Sequence, residues 1–188
     1  QRHFDQSIWR HSVKGHVVRY GCALALLVTV VWNLSACTPT LNWREVRVDA
    51  LVAMLPCKPR RGTRNVQLAG HELPMDMAGC EAGGALFAVS HVRVSDVAAI
   101  NPTVAAWRAS AMANMHATAV QDKVELPSFH GAVPRTVVRA QGARPDANPV
   151  QAQLVWFTVG PDIYHAAVYA NHLSADMTEP FFSDLRVR

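Results

Sequence analysis

Short segments in which hydrophobic and polar residues alternate fill most of the chain after residue 42. A period of two predicts β-strands, and Gly and Pro interrupt the segments where turns are needed. The pattern predicts strands over residues 45–48, 51–55, 64–69, 72–78, 85–94, 136–141, 150–159 and 163–170. The last two segments are the most apolar and are expected at the centre of an antiparallel sheet. Pro74 favours an edge position for the segment that contains it.

Helical periodicity is clear in one segment only. Asn101 and Pro102 are typical of a helix start. An apolar stripe follows at steps of three and four residues, formed by Val104, Trp107, Ala111 and Met115. A short second helix is predicted near the C-terminus, carrying Phe181, Phe182 and Leu185 behind a cap at Ser174 or Asp176. The polar segment 121–134 is predicted to be a loop.

The order of these elements is strands, helix, strands, helix. This order predicts the α+β class, with a single antiparallel β-sheet covered by one long helix and a short C-terminal helix.

The N-terminal part of the chain carries the pattern of an export signal. Lys14 and Arg19 precede an uncharged apolar core at residues 22–32, and Leu34-Ser35-Ala36-Cys37 follows. These four residues resemble the lipobox of bacterial lipoproteins, which implies cleavage before Cys37 and acylation of that residue. A membrane-spanning helix is the alternative, but it needs about 20 predominantly apolar residues, and polar residues interrupt this run too early.

The expected organisation follows from that cleavage site. Residues 1–36 are an upstream extension plus a signal peptide, residues 37–42 a lipid-attached tether, and residues 43–188 a single α+β domain. The resemblance implies a lipid anchor in the membrane, at the periplasmic face of the outer membrane because Thr38 rather than Asp follows the cysteine. The inner membrane is the less favoured location.

Charge argues against nucleic-acid binding. The chain has 18 Lys and Arg against 14 Asp and Glu, a net charge of +4. Residues 1–36 contribute four basic residues and one acidic residue, which leaves a net charge of +1 on the processed protein. Nucleic-acid binding would need a basic stripe or face.

Cys57 and Cys80 are the two side-chain thiols that remain after processing. In an oxidising compartment they are expected to form a disulfide. A redox pair is less favoured because the Cys-x-x-Cys spacing is missing. A zinc site that adds His71 or Asp76 matches no standard spacing.

Two short motifs resemble PsbP-like or Mog1-like domains. Residues 52–59, which read Val-Ala-Met-Leu-Pro-Cys-Lys-Pro, resemble the opening of those domains, and residues 179–186 resemble their terminal helix. The resemblance implies an αβα sandwich, and with the lipobox it implies an uncharacterised proteobacterial lipoprotein. Such domains are mostly accessory or binding modules, although a shared fold does not establish function.

The densest positive run is formed by Lys58, Arg60, Arg61 and Arg64. It is a candidate contact for anionic phospholipid or lipopolysaccharide groups. A solvated loop is the alternative and is favoured, because charge runs are usually exposed for solubility alone.

Two classes of function remain open. The favoured one is a non-catalytic module that binds an envelope protein, a lipid or a small ligand, with Trp156, Tyr164 and Tyr169 as candidate contacts. The alternative is a periplasmic enzyme with an unrecognised site near His71, Asp76, Glu81 and His91. Convergence of three titratable side chains in a pocket would favour the enzyme.

The sequence shows no common catalytic, cofactor or metal motif. The Gly-rich segment 79–84 lacks the Lys-Ser/Thr of a phosphate loop. Ser90 and His91 are adjacent in one strand and therefore point to opposite faces. The six histidines after residue 37 have no spacing that predicts a metal site.

Overall fold

The computed structural model describes residues 41–122, 136–144 and 146–188. Cys37, the upstream segment 1–36 and most of the predicted loop 121–134 lie outside these residues. No helix within the described residues is long and apolar enough to cross a membrane.

The described residues form ten strands, two α-helices and a short 3₁₀ turn at Val97–Ala99. The helices are α1 at Ile100–Asn114 and α2 at Ala175–Ser183. The strands are β1 (Arg44–Val48), β2 (Leu51–Leu55), β3 (Arg60–Leu68), β4 (His71–Ala82), β5 (Ala85–Arg93), β6 (Ala119–Asp122), β7 (Thr136–Ala143), β8 (Pro149–Val159), β9 (Asp162–Ala170) and β10 (Arg186–Val187).

Seven strands form one antiparallel sheet in the order β3-β4-β5-β9-β8-β7-β6. The apolar strands β8 and β9 lie near its centre, as predicted. Tight turns connect consecutive strands, with Gly70 at φ 81° between β3 and β4 and Gly160 at φ 57° between β8 and β9. Glycine adopts this left-handed backbone without the steric cost that a Cβ atom brings.

One face of this sheet is covered by a second, three-stranded sheet in the order β1-β2-β10 and by α2. Strand β2 is almost entirely buried, with Leu51, Val52, Ala53 and Leu55 fully shielded from solvent. Phe181 and Phe182 of α2 pack into the same core, as predicted. Phe87 of β5 contacts Phe181 edge-to-face, with ring centres 5.6 Å apart.

Helix α1 lies on the opposite face, where its predicted apolar stripe packs against the sheet. The C-terminal end of α1 comes very close to β7. A Cβ atom at Gly142 would lie 2.0 Å from the carbonyl oxygen of Met115, so only glycine fits there. The amide of Ala143 donates to the same carbonyl at 2.8 Å.

The predicted fold class is wrong. The described residues are mostly β, in two sheets with two short helices, rather than a single sheet covered by one long helix. The error arises at residues 44–55, whose alternation predicts strands but not their partners. Because β2 is apolar on both faces, it is buried between layers and pairs with β1 and the C-terminal β10 instead of joining the large sheet.

Smaller differences have local causes. Strand β4 lies inside the sheet despite Pro74, because its pairing with β5 begins at Met75 and leaves the proline just outside that ladder. Residues 119–122, predicted as part of a loop or left unassigned, form the exposed edge strand β6. Asp96 accepts a hydrogen bond from the amide of Ala98 and caps the 3₁₀ turn that precedes α1.

Candidate functional site

A large groove lies between α1 and the outer strands of the seven-stranded sheet. Its volume is about 980 Å³, at the upper end of the ~300–1,000 Å³ range of small-molecule sites. Large apolar side chains dominate its walls. They come from both the sheet and the helix and include Leu68, Met75, Met77, Leu86, Trp107 and Met115.

A row of small residues crosses the sheet beneath α1, and one of them, Ala88, lines this groove. Gly79, Ala88 and Ala167 are cross-strand neighbours on β4, β5 and β9, on the face that carries α1. Gly79 has no room for a side chain, because a Cβ atom there would lie 2.8 Å from the carbonyl oxygen of Phe87. Ala88 lines the groove directly and is only half-buried. The small side chain of Ala88 between larger walls leaves space that the protein's own side chains do not fill.

Charged groups are few and lie at the edge of the groove. The charged lining residues are Arg64, Glu81 and Arg144, a net charge of +1. Arg64 is exposed, and within the described residues its guanidinium has no ion-pair partner. The groove therefore combines apolar walls with an unpaired cationic group, Arg64, on β3.

Neutral polar side chains also line the groove, among them Ser90, His165 and Tyr169. Burial lowers the pKa of His165 to about 3, because the charged imidazolium is disfavoured away from water. Burial also raises the pKa of Tyr169 to about 12. Both side chains are therefore uncharged at neutral pH.

A second groove of about 770 Å³ lies beside α2, but much of its polar lining is already paired. Gln151 accepts a hydrogen bond from the Leu173 amide at 2.9 Å, and Arg139 donates to Gln153 at 3.2 Å. These internal bonds leave it a weaker ligand site than the groove under α1.

Titratable side chains converge elsewhere, at the turn between β1 and β2. His91 Nε2 lies 2.8 Å from an Asp162 oxygen and 3.8 Å from an Asp49 oxygen. Arg93 donates two hydrogen bonds to Asp162 at 2.8 and 2.7 Å. The Tyr164 hydroxyl donates to Asp49 at 2.7 Å. We call these five residues the turn cluster.

The two carboxylates of the turn cluster are stabilised by hydrogen bonds from other members of the cluster. The hydrogen bonds from Arg93 hold the pKa of Asp162 below its ordinary value, and the hydroxyl of Tyr164 does the same for Asp49. Ligand atoms of Asp49, His91 and Asp162 lie within 4.8 Å of one another, a spacing that suits a metal ion. Arg93, however, already supplies positive charge to Asp162. The cluster lies on the sheet face opposite α1 and joins the β1–β2 turn to the large sheet.

The basic run does not form one patch. Arg60 and Arg64 lie on the α1 face of β3, while Arg61 between them faces the other way by strand alternation. Arg61 donates to the carbonyl of Arg47 in β1 at 2.6 Å. Lys58 precedes the strand. The run is therefore mostly strand rather than loop, and only Arg64 lines the groove.

The four residues proposed for an enzyme do not come together. Glu81 lines the groove, whereas Asp76 and His91 are cross-strand neighbours on the opposite face. Asp76 accepts a hydrogen bond from Thr63 at 2.5 Å, and His71 lies exposed at the start of β4. Ser90 and His91 point to opposite faces, as their adjacency in one strand predicts. Nothing in this arrangement points to catalysis.

Other predicted site residues have clear places. Cys57 and Cys80 form the predicted disulfide, which links the β2–β3 connection to β4. Of the three candidate aromatic residues, Tyr169 lines the groove, whereas Trp156 and Tyr164 are 2% and 1% exposed and belong to the core.

Sequence reasoning missed both the groove and the turn cluster. Trp107 and Met115 were expected to be core residues, and they are buried and line the groove as well. Asp49 and Asp162 each follow a strand end or turn, 113 positions apart. The only sequence signal for the groove is the set of small residues at 79 and 88, which is too weak to be read without the pairing of the strands.

No family model matches the chain, and no curated protein matches it. Among solved structures, the chain is similar to PA94 from Pseudomonas aeruginosa, a protein of unknown function. The identity is 11% and the TM-score 0.37, over 78% of this chain and 97% of that one.

Proposed function

We propose that the domain is a binding module for an amphipathic, anionic small molecule, which it holds in the groove between α1 and the seven-stranded sheet. It acts as a periplasmic lipoprotein anchored to the outer membrane through acylated Cys37. The observation that carries the binding proposal is the groove itself, because an apolar cavity of this size is costly to leave exposed to water.

The apolar part of the ligand fits the interior of the groove. Met75, Met77 and Met115 line it together. Methionine side chains are unbranched and polarizable, so they adapt to flexible apolar ligands. An alkyl chain placed there would contribute about 0.8 kcal/mol for each methylene group removed from water.

The anionic part of the ligand fits the edge. Arg64 is exposed at the groove and free of an ion-pair partner within the described residues. Arginine presents a planar set of donors that matches a carboxylate or phosphate in two-point contact. Membrane attachment would keep such a module close to a source of amphipathic molecules.

Binding is tested by titrating the protein with decanoate in competition with a fluorescent fatty acid. Ala88→Phe places a large side chain in the groove floor and is expected to weaken decanoate binding by at least about tenfold, or 1.4 kcal/mol. Ala113→Phe is the matched control, because Ala113 is exposed on α1 and does not line the groove. Equal affinities in both variants, or no decanoate binding by the unaltered protein, would refute the proposal.

The anionic edge is tested by a pair of arginine variants. Arg64→Gln should weaken binding of decanoate and leave binding of decanol unchanged. Arg60→Gln is the control, because Arg60 lies four residues away on the same face of β3 and does not line the groove. If both variants behave alike, Arg64 has no part in recognition.

The anchor is tested by mass spectrometry of the protein extracted from its own membranes. The proposal expects an N-terminal peptide that begins at acylated Cys37. A peptide that still carries residues 1–36, with Cys37 unmodified, would overturn it.

A further inference from the structure

Two polar side chains, Ser90 and His165, lie next to each other in the wall of the groove. Ser90 of β5 and His165 of β9 are direct cross-strand partners, and both line the cavity. Each is only 6% exposed. Cross-strand partners project to the same side of a sheet, so the two groups form one polar spot in the groove wall.

Aromatic rings pack around the polar spot. The His165 ring contacts Trp107 of α1 and Trp156 of β8 in tilted arrangements, with ring centres 5.2 and 4.6 Å away. Two rings packed against the imidazole leave it little freedom to rotate.

Hydrogen bonding at this spot is incomplete within the described residues. His165 Nε2 is buried and has no partner there, and the same is true of the neighbouring Trp156 Nε1. Buried polar atoms are nearly always paired, with protein, water or ligand. His165 lines the groove, so this unpaired nitrogen is a candidate partner for a ligand group.

Because the His165 imidazole is neutral, its hydrogen-bonding capacity decides which kind of ligand group can pair with it. A neutral imidazole has one donor and one acceptor nitrogen, and its tautomer decides which is which. A carboxylate accepts only and would suit one tautomer. A hydroxyl both donates and accepts, so it pairs with either tautomer and with the Ser90 hydroxyl as well.

Resting on the proposed function, we infer that the natural ligand is a hydroxylated amphipath, whose anionic end meets Arg64 and whose chain hydroxyl bonds to His165 and Ser90. His165 is thus a specificity-determining residue of the groove. Plain alkyl chains bind, but they leave the imidazole nitrogen unpaired, and leaving a buried polar group unpaired disfavours a ligand.

The test compares decanoate with a series of hydroxydecanoates that differ in the position of the hydroxyl, each titrated into the full-length protein. At least one isomer should bind about tenfold more tightly than decanoate. His165→Phe keeps an aromatic ring at this position and should remove this preference while decanoate still binds. Ser90→Ala, a smaller change, should reduce the preference and guards against a folding defect in the first variant.

The outcomes separate the two proposals. If decanoate binds and no hydroxylated isomer binds more tightly, the inference is wrong and the proposed function stands. A preference that survives in both His165→Phe and Ser90→Ala also overturns the inference. If neither decanoate nor any isomer binds, the proposed function fails with it.

Discussion

At the scale of the residue, His165 shows how environment decides chemistry. The same side chain at a strand surface would titrate near neutral pH and serve as a switch. Here it is enclosed by Trp107 and Trp156 and stays neutral, with its pKa lowered to about 3. The sequence places His165 in a strand but cannot predict this state, because the two tryptophans reach it from another strand and from α1.

The lowered pKa of His165 makes stability depend on pH. The unfolded chain takes up a proton near pH 6.5 and the folded chain only near pH 3, so between these values the unfolded state binds more protons. The contribution is fully present above pH 6.5 and declines as the pH falls, by up to about 1.4 kcal/mol per pH unit. Urea unfolding between pH 7 and 4.5 measures it. His165→Phe should flatten the slope, and an unchanged slope in that variant would contradict the account.

At the scale of the element, hydrophobic alternation predicts most strands, and steps of three and four residues predict α1. Periodicity describes one segment at a time, so it does not reveal which strands pair. Strands are predicted over residues 45–48 and 51–55, yet the second of them pairs with β10, more than 130 positions away. The strong apolar character of β2 indicates that the strand is buried on both faces. Burial on both faces in turn indicates a second layer, the three-stranded sheet.

The turn cluster stabilises the contact between these layers. Asp162→Asn removes the charged acceptor from His91 and Arg93, and we expect it to lower the free energy of unfolding by about 1–2 kcal/mol. The control is Asp176→Asn, which alters an exposed aspartate in the first turn of α2. Chemical denaturation at pH 7 compares them. Equal stabilities of the two variants would show that the cluster is not a structural link.

At the scale of the whole molecule, the two faces of the large sheet have different roles. One face is sealed by the three-stranded sheet and α2, and its core is closed around residues such as Phe87 and Phe157. The other face is covered by α1 only in part, and the uncovered strands carry the groove. The hydrophobic pattern of the sequence predicts which strand faces are buried, but it does not predict the groove. The groove exists because a single helix of 15 residues cannot cover a seven-stranded sheet.

The central claim is that the groove binds an amphipathic ligand. The six methionines test it most directly, because three of them line the groove and three do not. Met75, Met77 and Met115 line it, whereas Met54, Met112 and Met177 do not. We would label the methionine methyl groups with ¹³C and follow their NMR signals during a titration with decanoate. The account predicts saturable shifts for the first three and little change for the others. Six unmoved signals, or six that shift alike, would contradict it.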